Sequence, residues 1–338
     1  MSELLQIFKK IQPPTQDSSG TEIFSGIPVP YANQHHLGCD KRGRPAILLK
    51  VLESDPNAPV ISLENLRVEH NINCRIVTPS GKTISGAFSL IHCTSENESL
   101  KSYFLRVMDA LLSSLSQDPT SDEIARSVDE LALLFMALRK PSSKTIHGLW
   151  AEMFLMVESA KPVDMLKAWH QESSEHFDFS SGFQRIEVKC SANRIRSHYF
   201  SIEQVYPPKG VSALIASLFV EQSSGGKSLL ELWNSIRDYA SGNTELVMKA
   251  ERICMNTLGE SWSESSKKCY DNELARKVKK INTKQHTSFK NYKTDQRQSF
   301  LRISVILSTE GPQIIEKDGQ RQKSEPSFRL LFAPNITY

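Results

Sequence analysis

Residues 176–191 read HFDFSSGFQRIEVKCS, two short alternating runs joined by Ser180-Ser181-Gly182. Successive side chains of a strand point to opposite faces, and a Ser-Ser-Gly step reverses the chain, so this stretch is confined to an antiparallel hairpin. Phe177 and Phe179 then face an apolar layer, with Asp178 on the other side. On the return strand Ile186, Val188 and Cys190 share one face, while Glu187, Lys189 and Ser191 share the other. The turn brings the polar faces together. Two carboxylates and one ammonium come to share a surface with apolar backing.

The surrounding pattern gives the hairpin a scaffold. Residues 1–95 read as a β-rich module. Val68, His70, Ile72, Cys74 and Ile76 alternate with polar neighbours along Leu66 to Thr78, Pro79-Ser80-Gly81-Lys82 turns, and Thr83 to Thr94 returns. An earlier turn, Lys41-Arg42-Gly43-Arg44, precedes a strand over Ala46 to Leu52. Residues 96–143 read as a helical connector: one helix over Leu100 to Leu115, and a second opening at Thr120 with Glu123 as a capping box and running to Pro141. Residues 144–240 form an α/β core. It holds a helix that ends near Pro162, strands over Val163 to His170, His176 to Ser180 and Gln184 to Ser191, a short helical piece over Ser201 to Val205, an apolar strand over 211–221, and an amphipathic helix from Ser228 to Tyr239. Residues 241–338 read as an α+β module with a helical stretch, a basic stretch, and strands near 299–308 and 327–333. The fold expected is therefore a mixed sheet flanked by helices, with a β-rich module before it and an α+β module after it.

Composition narrows the class further. Hydrophobic residues make up 39% and charged residues 23% of the 338, as in globular proteins generally. The opening MSELLQIFKKIQPP has charges within its apolar stretch and no small-residue cleavage site, so no signal peptide is expected. The longest apolar run, Val211 to Val220, is about half of a membrane span and reads as a buried strand. Six cysteines lie scattered with no CxxC pair, which argues against a zinc knuckle or a disulfide framework and for a cytoplasmic protein.

The helix before the hairpin, KTIHGLWAEMFLMVESA, places Glu152 among Leu149, Met153 and Met156. A buried carboxylate is costly alone, so a cation or a hydrogen-bond network is expected beside it. Gly148, one turn earlier, is expected to let the helix approach the sheet closely. Carboxylates of this kind hold Mg²⁺, which acidifies water and neutralises charge developing on phosphate, and a neighbouring lysine stabilises the same charge.

An acid on a helix followed by Asp-Xn-Glu-X-Lys across a hairpin resembles the PD-(D/E)XK nuclease superfamily. The runs GLWAE, FDFS, IEVKCS and RIRSHYFSIEQV resemble a bacterial branch of PD-(D/E)XK motif proteins found beside restriction-modification and phage-defence genes. The resemblance covers residues 144–240. It implies a Mg²⁺-dependent endonuclease, with Mn²⁺ as a substitute ion, acting on DNA phosphodiester bonds. Asp178 and Glu187 hold the metal, Lys189 is the catalytic lysine, and Glu152 supports the metal site or binds a second ion. Gln204 matches a recurrent glutamine, and Arg196 and His198 fall in the polar segment before it. Phe177 stands in the place of the nominal proline, and Pro208 occupies the tyrosine place of a Gln-x-x-x-Tyr motif. The implied partners are DNA and other defence proteins, a methyltransferase or an ATPase among them, with a homodimer as a candidate assembly and no membrane.

Other readings of the same residues stand beside this one. A solvated strand face with a cross-strand salt bridge produces the same Asp-Xn-Glu-X-Lys pattern. A nuclease-like subunit that grips DNA or protein without cutting alone, or a scaffold without nucleic acid, fits it as well. His70, Cys74, His92 and Cys93 sit on ordinary strands and read as packed core rather than zinc ligands. Gly225-Gly226-Lys227-Ser228 resembles the end of a P-loop, but Glu221 stands where its first glycine belongs, so it reads as a strand-to-helix turn. The net charge is only +3, with 41 Lys and Arg against 38 Asp and Glu. From Lys267 to Arg302, however, eleven Lys and Arg face three acids, with His286, Phe289 and Tyr292 interleaved. Nucleic-acid contacts are accordingly expected from Lys284, Lys290 and Lys293 there, and from Ser191, Arg196, His198 and Gln204 near the hairpin.

Overall fold

The computed structural model describes residues 2–15, 21–30, 32–50, 60–116, 119, 121–142, 145–170, 176–193, 198–205, 207–277, 279–282, 293–294 and 301–303. The chain divides into two compact units, Met1–Pro141 with Gly242–Ser263 and Ser142–Ser241 with Glu264–Tyr338. The helices expected as a connector thus group with the β-rich module, and a later segment returns to it.

The first unit begins with helix α1 (Glu3–Phe8) and strands β1 (Glu22–Val29), β2 (Ala32–Cys39), β3 (Pro45–Leu49), β4 (Ile61–Leu63), β5 (Leu66–Val77) and β6 (Thr83–Cys93). The strand order is β1-β2-β3-β6-β5-β4, and β1 also pairs with β5, in parallel, through Glu22↔Cys74 to Ser25↔Val77. That pairing closes the sheet on itself, with β4 paired to β5 outside the closed run. Phe24, Ala46, Leu48, Cys74, Ile76, Phe88 and Leu90 form a buried cluster in this unit. The alternation expected along β5 holds at Val68, Cys74 and Ile76, which are buried, but His70 and Ile72 are only half-buried. The cause is a bulge between Glu69 and Ile72, where Asn71 takes φ of 55° and the His70 ring lies 3.0 Å from the Ser89 hydroxyl. Both expected turns form, with Gly43 at φ 71° and Gly81 at φ 80°. Helices α2 (Glu98–Ser114), capped by Asn97, and α3 (Ser121–Ala137) follow. Thr120 and residues 51–52 lie outside the described residues.

The second unit opens with α4 (Ile146–Val157), whose residues Leu149 to Met156 are all buried. A helix apolar on every side must be surrounded, and it packs on β8 and on α5 and α7, defined below. Helix α5 (Pro162–Ala168) stands where a strand was expected. Pro162 pre-sets φ at the first helical position, Asp164 favours the first turn, and Met165, Leu166 and Ala168 bury one side. Then come β7 (Phe179–Ser181), β8 (Gln184–Ser191), β9 (His198–Phe200), α6 (Ile202–Val205), β10 (Ser212–Phe219), β11 (Gln222–Ser228) and α7 (Leu229–Tyr239). Helix α8 (Thr244–Leu258) belongs to the first unit, and β12 (Cys269–Tyr270) and β13 (Lys279–Asn282) belong to the second. The order of the main sheet is β13-β10-β8-β7, with β8 and β10 parallel and the outer pairs antiparallel. It is a mixed sheet with helices packed on it. The short strands β14 (Lys293–Thr294) and β15 (Leu301–Ile303) join β9 in a further sheet. The strand expected near 327–333 lies outside the described residues.

The glycine-rich stretch is not a phosphate loop. It ends β11, which pairs with β12, and a Cβ on Gly226 would lie 1.8 Å from the Tyr270 carbonyl oxygen. Gly226 is there because two backbones touch. Ser228 then caps α7 in a capping box with Glu231. Gly148 shows the reverse: a Cβ there meets only the Thr145 hydroxyl, at 3.4 Å, so the expected close approach to the sheet is not what fixes this glycine.

Candidate metal centre

Strand register sets the first part of the site. Phe179 pairs with Ile186, so Asp178, one residue earlier, falls opposite Glu187 on the other face of the hairpin, as the alternation requires. Asp178 Oδ2 accepts a 2.7 Å hydrogen bond from the Val188 amide, which ties it to the main chain of β8. In the parallel pair, Ile215 lies beside Glu187 and Ser217 beside Lys189. Lys189 Nζ is 2.7 Å from Glu187 Oε1 and 5.3 Å from the Phe200 ring centre. Asp178 and Glu187 are both buried, and Lys189 is half-buried.

Helix α4 supplies Glu152, only 5% exposed. The network expected around it is present. Its Oε2 accepts a 2.8 Å hydrogen bond from Trp169 Nε1 and lies 2.9 Å from His170 Nε2. The chain is stitched at this point: Trp169 bridges Phe179, and the His170 amide donates to the Asp178 carbonyl at 2.9 Å. His170 itself takes φ of 40°. Glu152, His170 and Asp178 each offer a ligand atom, and these atoms all lie within 4.8 Å of one another. This group is able to hold a metal ion. Glu187 stands outside it, engaged with Lys189. Burial pushes the Cys190 thiol up to about 11, and the charges of Glu152 and Asp178 add to the rise while Lys189 opposes it.

The remaining sequence-derived residues have varied placements. His198 is buried, with Nε2 2.7 Å from the Ser217 hydroxyl. Gln204 is buried too: its Nε2 donates to the His176 carbonyl at 2.7 Å, and its Oε1 accepts from the Ser201 amide at 3.1 Å. It thereby anchors the chain two residues before Asp178. Ser191 ends β8 and accepts from the Asn193 amide at 3.3 Å. Lys293 lies in β14. Arg194, Arg196, Lys284, His286, Phe289, Lys290 and Tyr292 lie outside the described residues. In the first unit His92 and Cys93 are buried, and burial pushes the Cys74 and Cys93 thiols up to about 12 and about 11, as befits packed core.

Sequence reasoning missed His170. Its one local signal is the Trp-His pair directly after a helix started by Pro162, and the strand reading of that segment hid it.

A helix acid, an aspartate entering a hairpin and a Glu-X-Lys strand in a mixed sheet define the PD-(D/E)XK class of protein. A family model described as "Putative PD-(D/E)XK family member, (DUF4420)" matches residues 4–278, and the chain belongs to that family. No curated protein and no solved structure matches it. Among the described residues, no helix is long and apolar enough to cross a membrane.

Proposed function

We propose that the second unit is a Mg²⁺-dependent endonuclease that hydrolyses DNA phosphodiester bonds. The observation that carries this reading is the convergence of two buried carboxylates, Glu152 and Asp178, with an imidazole inside 4.8 Å. Their oxygens suit a hard divalent cation, and the fixed hydrogen bonds from Trp169 and the Val188 amide hold them in place. When bound, such an ion acidifies a water and draws charge from the phosphate oxygens. Asp178 and Glu152 would hold the ion, while Glu187, outside that group, orients Lys189. Lys189 is the catalytic lysine, its ammonium placed by Glu187 and the Phe200 ring. It donates to the attacking water and to the phosphate oxygen, stabilising the charge formed there. Ser191, Arg196, His198, Gln204 and the basic residues Lys284, Lys290 and Lys293 serve the DNA strand or its positioning. The setting is the cytoplasm of a bacterium, within a restriction or phage-defence system whose other members include a methyltransferase or an ATPase.

The test is cleavage of linear and supercoiled DNA by purified protein with Mg²⁺. Asp178→Asn and Lys189→Ala are each expected to slow it by about 10²–10³-fold, the scale of losing one transition-state electrostatic partner. Cleavage by Asp178→Asn at the wild-type rate ends the assignment. The 2.7 Å Lys189–Glu187 ion pair favours a second reading, a subunit that grips DNA or a partner protein and does not cut alone. Salt-sensitive DNA binding with metal uptake but without cleavage identifies that case.

A further inference from the structure

We propose that His170 is a metal ligand and that it makes the centre select Mn²⁺ over Mg²⁺. This rests on the metal-dependent reading above and refines its choice of ion, Mn²⁺ binding more tightly than Mg²⁺ at the same centre.

The first argument is spacing. An octahedral ion with bonds of about 2.1 Å sets adjacent ligand atoms about 3.0 Å apart. His170 Nε2 and Glu152 Oε2 are 2.9 Å apart, and the Asp178 ligand atom completes a group no wider than 4.8 Å. The second is what the chain gives up to put the ring there. A non-glycine residue at φ of 40° is strained by about 1 kcal/mol or more, and it persists only where the surroundings hold it. Here the His170 amide is tied to the Asp178 carbonyl, and its neighbour Trp169 is tied both to Phe179 and to Glu152. A ring needed only to solvate Glu152 requires no such twist, because Trp169 already donates to the same oxygen.

The third argument is chemical. Mg²⁺ dehydrates reluctantly and takes oxygen ligands, whereas Mn²⁺ shares that taste for carboxylates but, as a transition ion, also accepts a nitrogen beside them. Two carboxylates and one imidazole are a mixed donor set that Mn²⁺ accepts in octahedral geometry. Mg²⁺ gains nothing from the nitrogen.

The experiment titrates the full chain with Mn²⁺ and with Mg²⁺ by calorimetry, alongside pulsed electron paramagnetic resonance of the Mn²⁺-loaded wild type. His170→Asn is the variant of choice, since asparagine tolerates the left-handed region and offers an oxygen in place of the nitrogen. Wild type is expected to bind Mn²⁺ at least tenfold more tightly than Mg²⁺. His170→Asn is expected to lose about tenfold or more in Mn²⁺ affinity while Mg²⁺ binding changes little. The wild-type spectrum is expected to carry nitrogen hyperfine modulation, a readout that needs no variant. Unchanged Mn²⁺ affinity in His170→Asn, an equal loss for both ions, or a spectrum without nitrogen coupling overturns the role of His170 while the carboxylate centre stands. Failure of both ions to bind wild type overturns the centre itself.

Discussion

Each unit of this protein buries a carboxylate against an imidazole, and the two pairs are built to opposite ends. In the first unit, Asp40 sits at the β2–β3 turn, where its Oδ1 accepts from the amides of Arg42 at 2.9 Å and Arg44 at 2.8 Å. Its Oδ2 takes the Arg44 guanidinium at 2.6 and 2.7 Å and lies 3.2 Å from His92 Nε2. Burial works to raise this carboxyl. The neighbouring His92 ring and the amide and guanidinium of Arg44 outweigh it and hold it at about 2. In the second unit, Glu152 also meets an imidazole, but a second carboxylate, Asp178, comes within 4.8 Å of both. One pair matches negative charge with a cation in its own turn. The other gathers negative charge at a point. The first arrangement staples a hairpin; the second is what a divalent ion requires.

A matched pair of Asp-to-Asn substitutions breaks this comparison most sharply. Asp40→Asn removes the charge facing Arg44 and His92, and a broken buried ion pair costs about 3 kcal/mol or more. Urea unfolding followed by fluorescence is expected to show that loss, with metal uptake by the second unit unchanged. Asp178→Asn keeps an oxygen for the Val188 amide and relieves the repulsion from Glu152. Metal-free stability is expected to stay within about 1 kcal/mol of wild type. What disappears is the stabilisation by Mn²⁺ or Mg²⁺, about 2.7 kcal/mol at a hundredfold excess over Kd. If the two variants behave alike, the contrast between staple and site is wrong.

Acid sharpens the same contrast at a slightly smaller scale. The Asp40 carboxyl titrates at about 2 when folded, against 3.8 for the ordinary group. Its depressed value means that the stabilisation is complete well above pH 3.8 and is lost as pH falls from there toward 2. The difference corresponds to about 2 kcal/mol. Unfolding titrations of wild type and Asp40→Asn are therefore expected to converge over that window, since protonation makes the wild-type side chain as neutral as the amide.

How much of this was legible in the chain depends on the range of the interaction. The hairpin of residues 176–191, the helix over residues 100–115 and the buried strand at 212–219 follow from period, turn residues and apolar runs, all local properties. Asp178 and Glu187 were placed opposite each other by alternation alone, and burial of Glu152 by its apolar neighbours. Three features were not legible. Closure of the first sheet by a parallel β1–β5 pairing joins residues about 50 positions apart and leaves no local mark. Helix α5 read as a strand because seven residues are too few to show a helical period, although Pro162 was the signal. His170 takes its place beside the two acids from a left-handed φ and from contacts with Glu152 and Asp178, neither of which the residue type announces.

The smallest effect tests the frame that carries the site. Ser228 ends β11 and caps α7: its hydroxyl accepts from the Glu231 amide at 3.1 Å, and the Glu231 carboxylate accepts from the Ser228 amide at 2.7 Å. Ser228→Ala removes one half of this box and is expected to cost about 1 kcal/mol, read as a small drop in melting temperature. Helix α7 packs on α4, the helix that carries Glu152, so the frame and the site share an element. If the cap serves only the frame, metal affinity stays at the wild-type value despite the lower melting point. A parallel fall in metal affinity instead shows that the position of Glu152 depends on how α7 is seated, and the boundary between scaffold and site then has to be drawn further from the acids.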